Sequence, residues 1–372
     1  MKANAKIGFV LLSNSKDPIP STRIAALNMF PLLVKLGFDP HILFEPETAT
    51  EMPELKDLED RLTSEAFQVV IFQKVYGRSV ENMVKRLTQR GIKSIYLVCD
   101  IINETMVELT DKTVVVTEFL KNQYPVDLHS KIHVIHDGIE HSQDQKDYYR
   151  ADTGSRFHPL NAALITSANL ERLPQIGSPP PWLHVAIVGR YPKQREIMKR
   201  LQQIKWACMA KKRNKSELFS YIQFLCETRI SRFAWSEETA YRCMRNADIG
   251  ILPINAESDP IHNLLAPSWK LKSENRLTMK MAMGLPVIAT PIPAYENVIK
   301  HGENGFLARS ASDWQACLSM LRDPARRQQV GNAARKSVIE TFSMESQSVM
   351  LASVIESLLM SKQNTTSFDH AN

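Results

Sequence analysis

Short runs of Val, Ile and Leu, five to seven residues long and with little polar alternation, recur from one end of this chain to the other. Longer stretches with helical spacing separate them. A strand that shows no alternation is covered on both faces, and helical crossovers between parallel strands are what cover it. In the first half the predicted strands are 7–12, 40–44, 69–74, 94–99, 113–117 and 132–136. STRIAALNMFPLLVKLG (21–37) reads as a helix with a Ser/Thr cap that ends at Gly37, and ENMVKRLTQRG (81–91) ends at a glycine too.

The pattern resets after about residue 140, where HSQDQKDYYRADTGSRFHP (141–159) is polar and aperiodic, a linker or surface loop. A second series of predicted strands follows at 162–166, 184–189, 204–209, 229–233, 248–254 and 286–290, with QIGSPPPW (175–182) as a loop inside it. The expected fold is α/β, with two doubly wound Rossmann-like domains facing a cleft. Their expected bounds are 1–145 and 146–342, followed by a helix at 343–362 that packs back across the junction and a disordered tail at 363–372. A length of 372 residues suits two domains.

Composition narrows the function classes. With 46 basic and 40 acidic residues the net charge is +6, an excess that suits a nucleotide or an anionic surface and is not that of a nucleic-acid binder. The five cysteines, Cys99, Cys208, Cys226, Cys243 and Cys317, show no metal-ligand spacing and read as buried free thiols in a reducing compartment. IGFVLL is too short for a signal core, and no run approaches the ~18 apolar residues of a membrane span. The expected location is the cytoplasm, with peripheral contact at the inner face of a membrane left open. LLSNSK after the first strand is no GxGxxG, and the chain has no GxxxxGK[ST], which argues against a dinucleotide oxidoreductase and a P-loop kinase. The basic stretches KQREIMKRL (193–201) and MAKKRNK (209–215) read as solvated faces, with docking on a membrane or RNA as the rival.

Candidate site residues lie where strands give way to helices. From Asn275 a helical pattern runs to Gly284, a C-terminal cap before the strand PVIAT. Lys272, Ser273 and Asn275 fall at the helix start, with Arg276 in its first turn. Positive charge there opposes the helix dipole unless an anion lies between them, so the cluster points to a diphosphate, against the alternative of a solvated arginine. In the first half Arg23, Lys74 and Asp100 sit at the carboxyl ends of strands, where ligands collect in such sheets. Their rival readings are a surface arginine, a snorkelling lysine and a cap for a helix near 102–109. His133 and His136 read as packed.

DIGILPI, a loop, KSENR, MAMGLPVIAT and YENVIKHGENGFL together resemble the donor-binding half of GT-B fold glycosyltransferases, the family 4-like group known as glycosyl transferases group 1. The matching positions are Asp248, Pro253, Ala282, Gly284, Pro286, Thr290, Glu296, Gly302 and Gly305. The first half fits more loosely, with DGIE (137–140) where the family often has NGVD. The resemblance implies transfer of a sugar from a nucleotide-diphosphate sugar to an acceptor hydroxyl, with retention of configuration, in glycan or glycoconjugate synthesis. It implies no metal, no cofactor beyond the nucleotide sugar as substrate and no nucleic-acid partner.

The resemblance also implies a diphosphate role for Arg276, with Lys272, Ser273 and Asn275 beside it. A second clamp comes from Arg172, or from Arg190 or Lys193 instead. Glu296 is the carboxylate left for the ribose, and Arg23 and Lys74 are acceptor-side or cleft residues. Asp100 stands near the reacting carbon, as a base or as a stabiliser of positive charge. One departure is plain: where many members carry a pair of glutamates, this chain has Leu271 and Met279. That gap motivates two other readings, a non-catalytic protein that binds a sugar nucleotide or glycan, and a nucleotide-sugar epimerase of the same fold.

Overall fold

The structure, a computed structural model, describes residues 5–56, 58–146, 149–168, 170–191, 196–209, 215–254 and 267–366. Two compact units divide the chain. Met1–Glu140, Pro260–Asn275 and Thr341–Asn372 form the first, and His141–Asp259 with Arg276–Glu340 the second.

The first unit is built on six parallel strands: β1 (Ala5–Val10), β2 (Phe38–Phe44), β3 (Val69–Gln73), β4 (Lys93–Val98), β5 (Lys112–Val115) and β6 (Ile132–Val134). Their order is β2-β1-β3-β4-β5-β6. The absence of alternation in their sequences has its cause here. Successive side chains on a strand point to opposite faces, and both faces are covered. Ile7, Phe9, Ile71 and Ile95 join one core cluster, while Val10, Val70, Phe72 and Tyr96 join another on the other side. The helix Met344–Thr366 gives Leu351, Ile355 and Leu358 to the first of these clusters. It continues through 363–366, four residues into the stretch expected as a tail, and 367–372 lie outside the described residues.

Two local expectations are corrected. The helix expected over 21–37 is three pieces, Pro20–Ala25, a 3-10 turn at Leu27–Met29 and Phe30–Lys35. Pro31 lacks the N–H that a continuous helix would need at that point. The first piece carries no Ser/Thr cap; Ile19 stands at the N-cap and Pro20 opens the first turn. Gly37 closes the segment with φ of 89°, as expected.

The second unit has a sheet of β7 (Leu160–Ile165), β8 (Leu183–Gly189), β9 (Ile230–Ala234), β10 (Ile249–Leu252), β11 (Val287–Ala289) and β12 (Phe306–Leu307), in the order β12-β11-β10-β7-β8-β9. Every pairing in both sheets is parallel. The strand expected at 204–209 is instead the end of the Glu196–Met209 helix, since Ile204 packs on the core while Trp206 and Met209 face solvent, a helical rather than a strand pattern. β12 was not expected at all. Cys226 is exposed, against the expectation of buried thiols, whereas Cys317 is buried.

Chain order reverses between β1 and β3 in one sheet and between β7 and β10 in the other. Such switch points open a crevice outside the carboxyl ends of the strands, the place where ligands bind in doubly wound folds.

Candidate functional site

In the first unit the carboxyl ends of the strands hold a charged network. β3 stops at Gln73, and Lys74 turns the chain with φ of 58°, a conformation that costs free energy for a residue other than glycine. The turn brings the Lys74 ammonium 2.7 Å from Asp100 Oδ1 and 3.2 Å from Glu51. Lys272, far along the chain, takes Asp100 Oδ2 at 3.0 Å. Burial works against the Asp100 charge, but the two ammonium groups outweigh it and hold the carboxyl well below the usual range. Burial works against the Lys74 charge as well, but the neighbouring Cys99, Asp100 and Glu51 outweigh it and push the amine upward. The capping alternative for Asp100 fails, since Asn103 caps the Glu104–Leu109 helix by accepting from the Met106 N–H at 3.0 Å.

Beyond β6 the chain runs His136, Asp137, Gly138, Ile139, Glu140, and sequence reasoning missed most of what gathers there. His136 Nδ1 lies 2.7 Å from Glu274 Oε1 and 3.0 Å from the Val116 carbonyl oxygen. Burial disfavours its charged form, yet Glu274 outweighs this and raises the imidazole above its ordinary value. Asp137 is buried and bonded to the Ser273 hydroxyl. Its carboxyl is raised to about 7, first by burial and then by the nearby charges of Glu274, Asp100 and Glu140, against the bond from Ser273. Glu140 receives a two-pronged bond from Arg23 at 2.7 and 2.9 Å and a third from Asn28 at 2.8 Å. His136 also donates its backbone N–H to Gln347 of the last helix, at 2.9 Å.

Three consecutive residues thus clasp three strand-end groups: Lys272 on Asp100, Ser273 on Asp137 and Glu274 on His136. Leu271 anchors the clasp by inserting into the core of the first unit. The basic cluster read as one donor site is therefore divided. Residues 272–275 belong to the first unit and Arg276 opens the stretch that belongs to the second, which moves 260–275 out of the domain expected at 146–342. A signal for Asp137 was present in DGIE, directly after a buried strand. Its pairing with Ser273 had none.

In the second unit the Asn275–Ala282 helix precedes β11, and a parallel crossover from β10 places its start at the carboxyl end of the sheet. Arg276 stands half-buried in its first turn. One turn on, Lys280 is fully buried and donates to the Arg276 carbonyl oxygen at 2.9 Å. Burial pushes this amine well below the usual lysine range, and the Arg276 charge adds to the effect. Gly284 makes the expected turn into β11 with φ of 83°, and the Tyr149 hydroxyl donates to its carbonyl oxygen at 2.7 Å.

The loop after β7 folds over the ends of β10 and β11. Gln175 donates to the Ile254 carbonyl oxygen at 3.0 Å and accepts from the Thr290 hydroxyl at 3.3 Å. Arg172, in the same loop, lines a cavity of about 600 Å³ together with Gln175, Ser178, Gln223, Phe224 and Glu227. Arg190 is exposed directly after β8, and Lys193 lies outside the described residues. Glu296 ends the short Pro293–Glu296 helix, exposed, and accepts from Arg309 at 2.8 Å. Met279 is buried on the Asn275–Ala282 helix.

Residues 168–323 match the family model of glycosyl transferases group 1. No curated protein matches the chain. Among solved structures it is similar to HepE of Anabaena in complex with UDP and glucose, at 12% identity and a TM-score of 0.64 over 95% of this chain and 100% of that one. A glycosyltransferase of Rickettsia africae is similar at 14% identity and a TM-score of 0.62, covering 96% and 99% of the two chains. Sucrose-phosphate synthase of Thermosynechococcus elongatus gives 12% and 0.62, covering 96% and 100%. The fold common to these proteins and this chain is GT-B.

Proposed function

We propose that this chain, a GT-B fold bearing a glycosyl transferases group 1 segment, moves a sugar from a nucleotide-diphosphate sugar to an acceptor hydroxyl. The observation that carries the reading is the start of the Asn275–Ala282 helix. Within the matched segment it sets a guanidinium in the first turn of a helix at the carboxyl end of a parallel sheet, where the helix dipole favours an anion. Arg276 meets the donor diphosphate there, and Arg172 or Arg190 neutralises it from a neighbouring strand end as the leaving group departs. Glu296 bonds the ribose. Arg23 and Lys74 serve the acceptor side, with Lys272, Ser273 and Asn275 bordering the donor.

Asp100 has little affinity for a proton between its two lysines, which favours a part in fixing those ammonium groups and in stabilising positive charge over a part as general base. Retention of configuration, independence of metal and a role in glycan or glycoconjugate synthesis complete the reading, and the free thiols fit the cytoplasm. The deciding experiment offers a panel of nucleotide sugars, with and without chelator, and follows release of nucleoside diphosphate and the anomeric configuration of the product. Release with none of them, despite binding, would overturn it. Arg276→Ala is expected to weaken free nucleoside diphosphate by about 1.5–3 kcal/mol in calorimetry, the worth of a charge-assisted hydrogen bond.

The places of the family's glutamate pair favour a second reading, a binding protein without turnover. Leu271 and Met279 there are buried apolar side chains. Slow hydrolysis of donor alone separates the two, and conversion of donor to an epimer without acceptor would mark the epimerase.

A further inference from the structure

The Glu196–Met209 helix has two apolar sides. Ile204 packs on the core of the second unit. Met198, Leu201, Trp206 and Met209 are instead 58–69% exposed, and Phe219 on the adjoining Lys215–Cys226 helix is 70% exposed. At 100° per residue Met198, Leu201 and Met209 share one face with the exposed Lys205, and Trp206 borders it. Single exposed apolar residues are ordinary, but five large ones on two packed helices mark an interaction surface.

Charge identifies the partner. Residues 193–215 contain nine Lys or Arg and one acidic residue, a net charge of +8, while the rest of the chain, with 37 basic and 39 acidic residues, is slightly acidic. A polybasic stretch of sequence that runs through and flanks a helix with outward Trp, Met and Leu meets both requirements of an interfacial helix, attraction to anionic headgroups and apolar area to insert. A nucleic-acid backbone would satisfy the charge and leave the aliphatic side chains without a partner. A second copy of the chain would set +8 against +8 across a two-fold contact.

We propose that the outward face of the Glu196–Met209 helix, with Phe219 beside it, docks this protein on an anionic phospholipid bilayer. The contact is peripheral, since among the described residues no helix is long and apolar enough to cross a membrane. Trp206 and Phe219 enter the headgroup boundary and Lys205 meets lipid phosphate. The proposal does not depend on the donor chemistry, because vesicle binding is read without turnover.

The test is flotation of the full chain with vesicles of phosphatidylcholine alone, or of phosphatidylcholine with phosphatidylglycerol. Binding is expected only with the anionic lipid, with a blue shift in tryptophan emission, and it should weaken as salt shortens the reach of charge. Lys205→Gln should lower partition about fivefold. Trp206→Ser with Phe219→Ser should lower it at least about tenfold, with melting and circular dichroism unchanged because both side chains face solvent. Equal flotation with both lipids, flotation with neither, or wild-type flotation of the double variant would overturn the proposal. So would a dimer in sedimentation velocity that Trp206→Ser dissolves, or binding that RNA competes away while the apolar variant retains it.

Discussion

Asp137 is the residue at which burial and charge conflict most openly. Asp100, Glu140 and Glu274 surround it with negative charge, and Lys272, Lys74, Arg23 and His136 pair with those neighbours rather than with Asp137 itself. With its folded value raised to about 7 from an ordinary 3.8, the carboxyl contributes stability that is fully present below about 4 and is lost as pH rises through 7. A neutral amide in its place would carry no such loss. Asp137→Asn is therefore expected to gain on the wild type between pH 5 and pH 8, by on the order of 1–4 kcal/mol, read as the difference between the two melting curves. A difference that stays flat over that range would remove Asp137 as a buried acid. Asp100→Asn should act in the opposite sense, since it strips two ammonium groups of their anion. A loss of about 1–3 kcal/mol, discounted from the fully buried case because Lys272 is over a third exposed, is expected in denaturant titrations. Turnover should fall while donor affinity holds. Unchanged melting and turnover would show that the lysines find other partners.

Among the elements, the turn from the Asn275–Ala282 helix into β11 depends on close approach. Tyr149 bonds the Gly284 carbonyl, and the Pro324–Val338 helix passes over the same point at Gly331. A Cβ at Gly331 would run into the Gly284 carbonyl oxygen and come within 2.5 Å of the Tyr149 hydroxyl. Gly331→Ala, which helix propensity alone would favour, is expected instead to destabilise by about 1–3 kcal/mol through overpacking. Thermal melting decides the sign. Strands of the first unit were legible because burial on both faces leaves only apolar residues to read. The stretch 204–209 misled because an outward apolar face on the Glu196–Met209 helix imitates a buried run, and periodicity cannot separate the two over six residues.

At the scale of the molecule, each unit has its own parallel sheet and core, and chain order does not follow the division. If the second unit holds the donor, UDP should slow amide exchange at 276–282 and around Thr290–Glu296, and leave β1 to β6 as they were. Protection confined to the first unit would reverse the assignment.

Sequence by itself determined the α/β class, the two series of strands, the glycine turn at Gly284 and the helix start at Asn275, because each rests on local periodicity or on the conformational freedom of one residue. Tertiary structure alone decided that Pro260–Asn275 joins the first unit and that Lys272, Ser273 and Glu274 close on Asp100, Asp137 and His136. Lys272 and Asp100 are 172 residues apart. A polar side chain carries no mark of its partner, and the pair is chosen only when folding brings both into the same place with little water left to take either one.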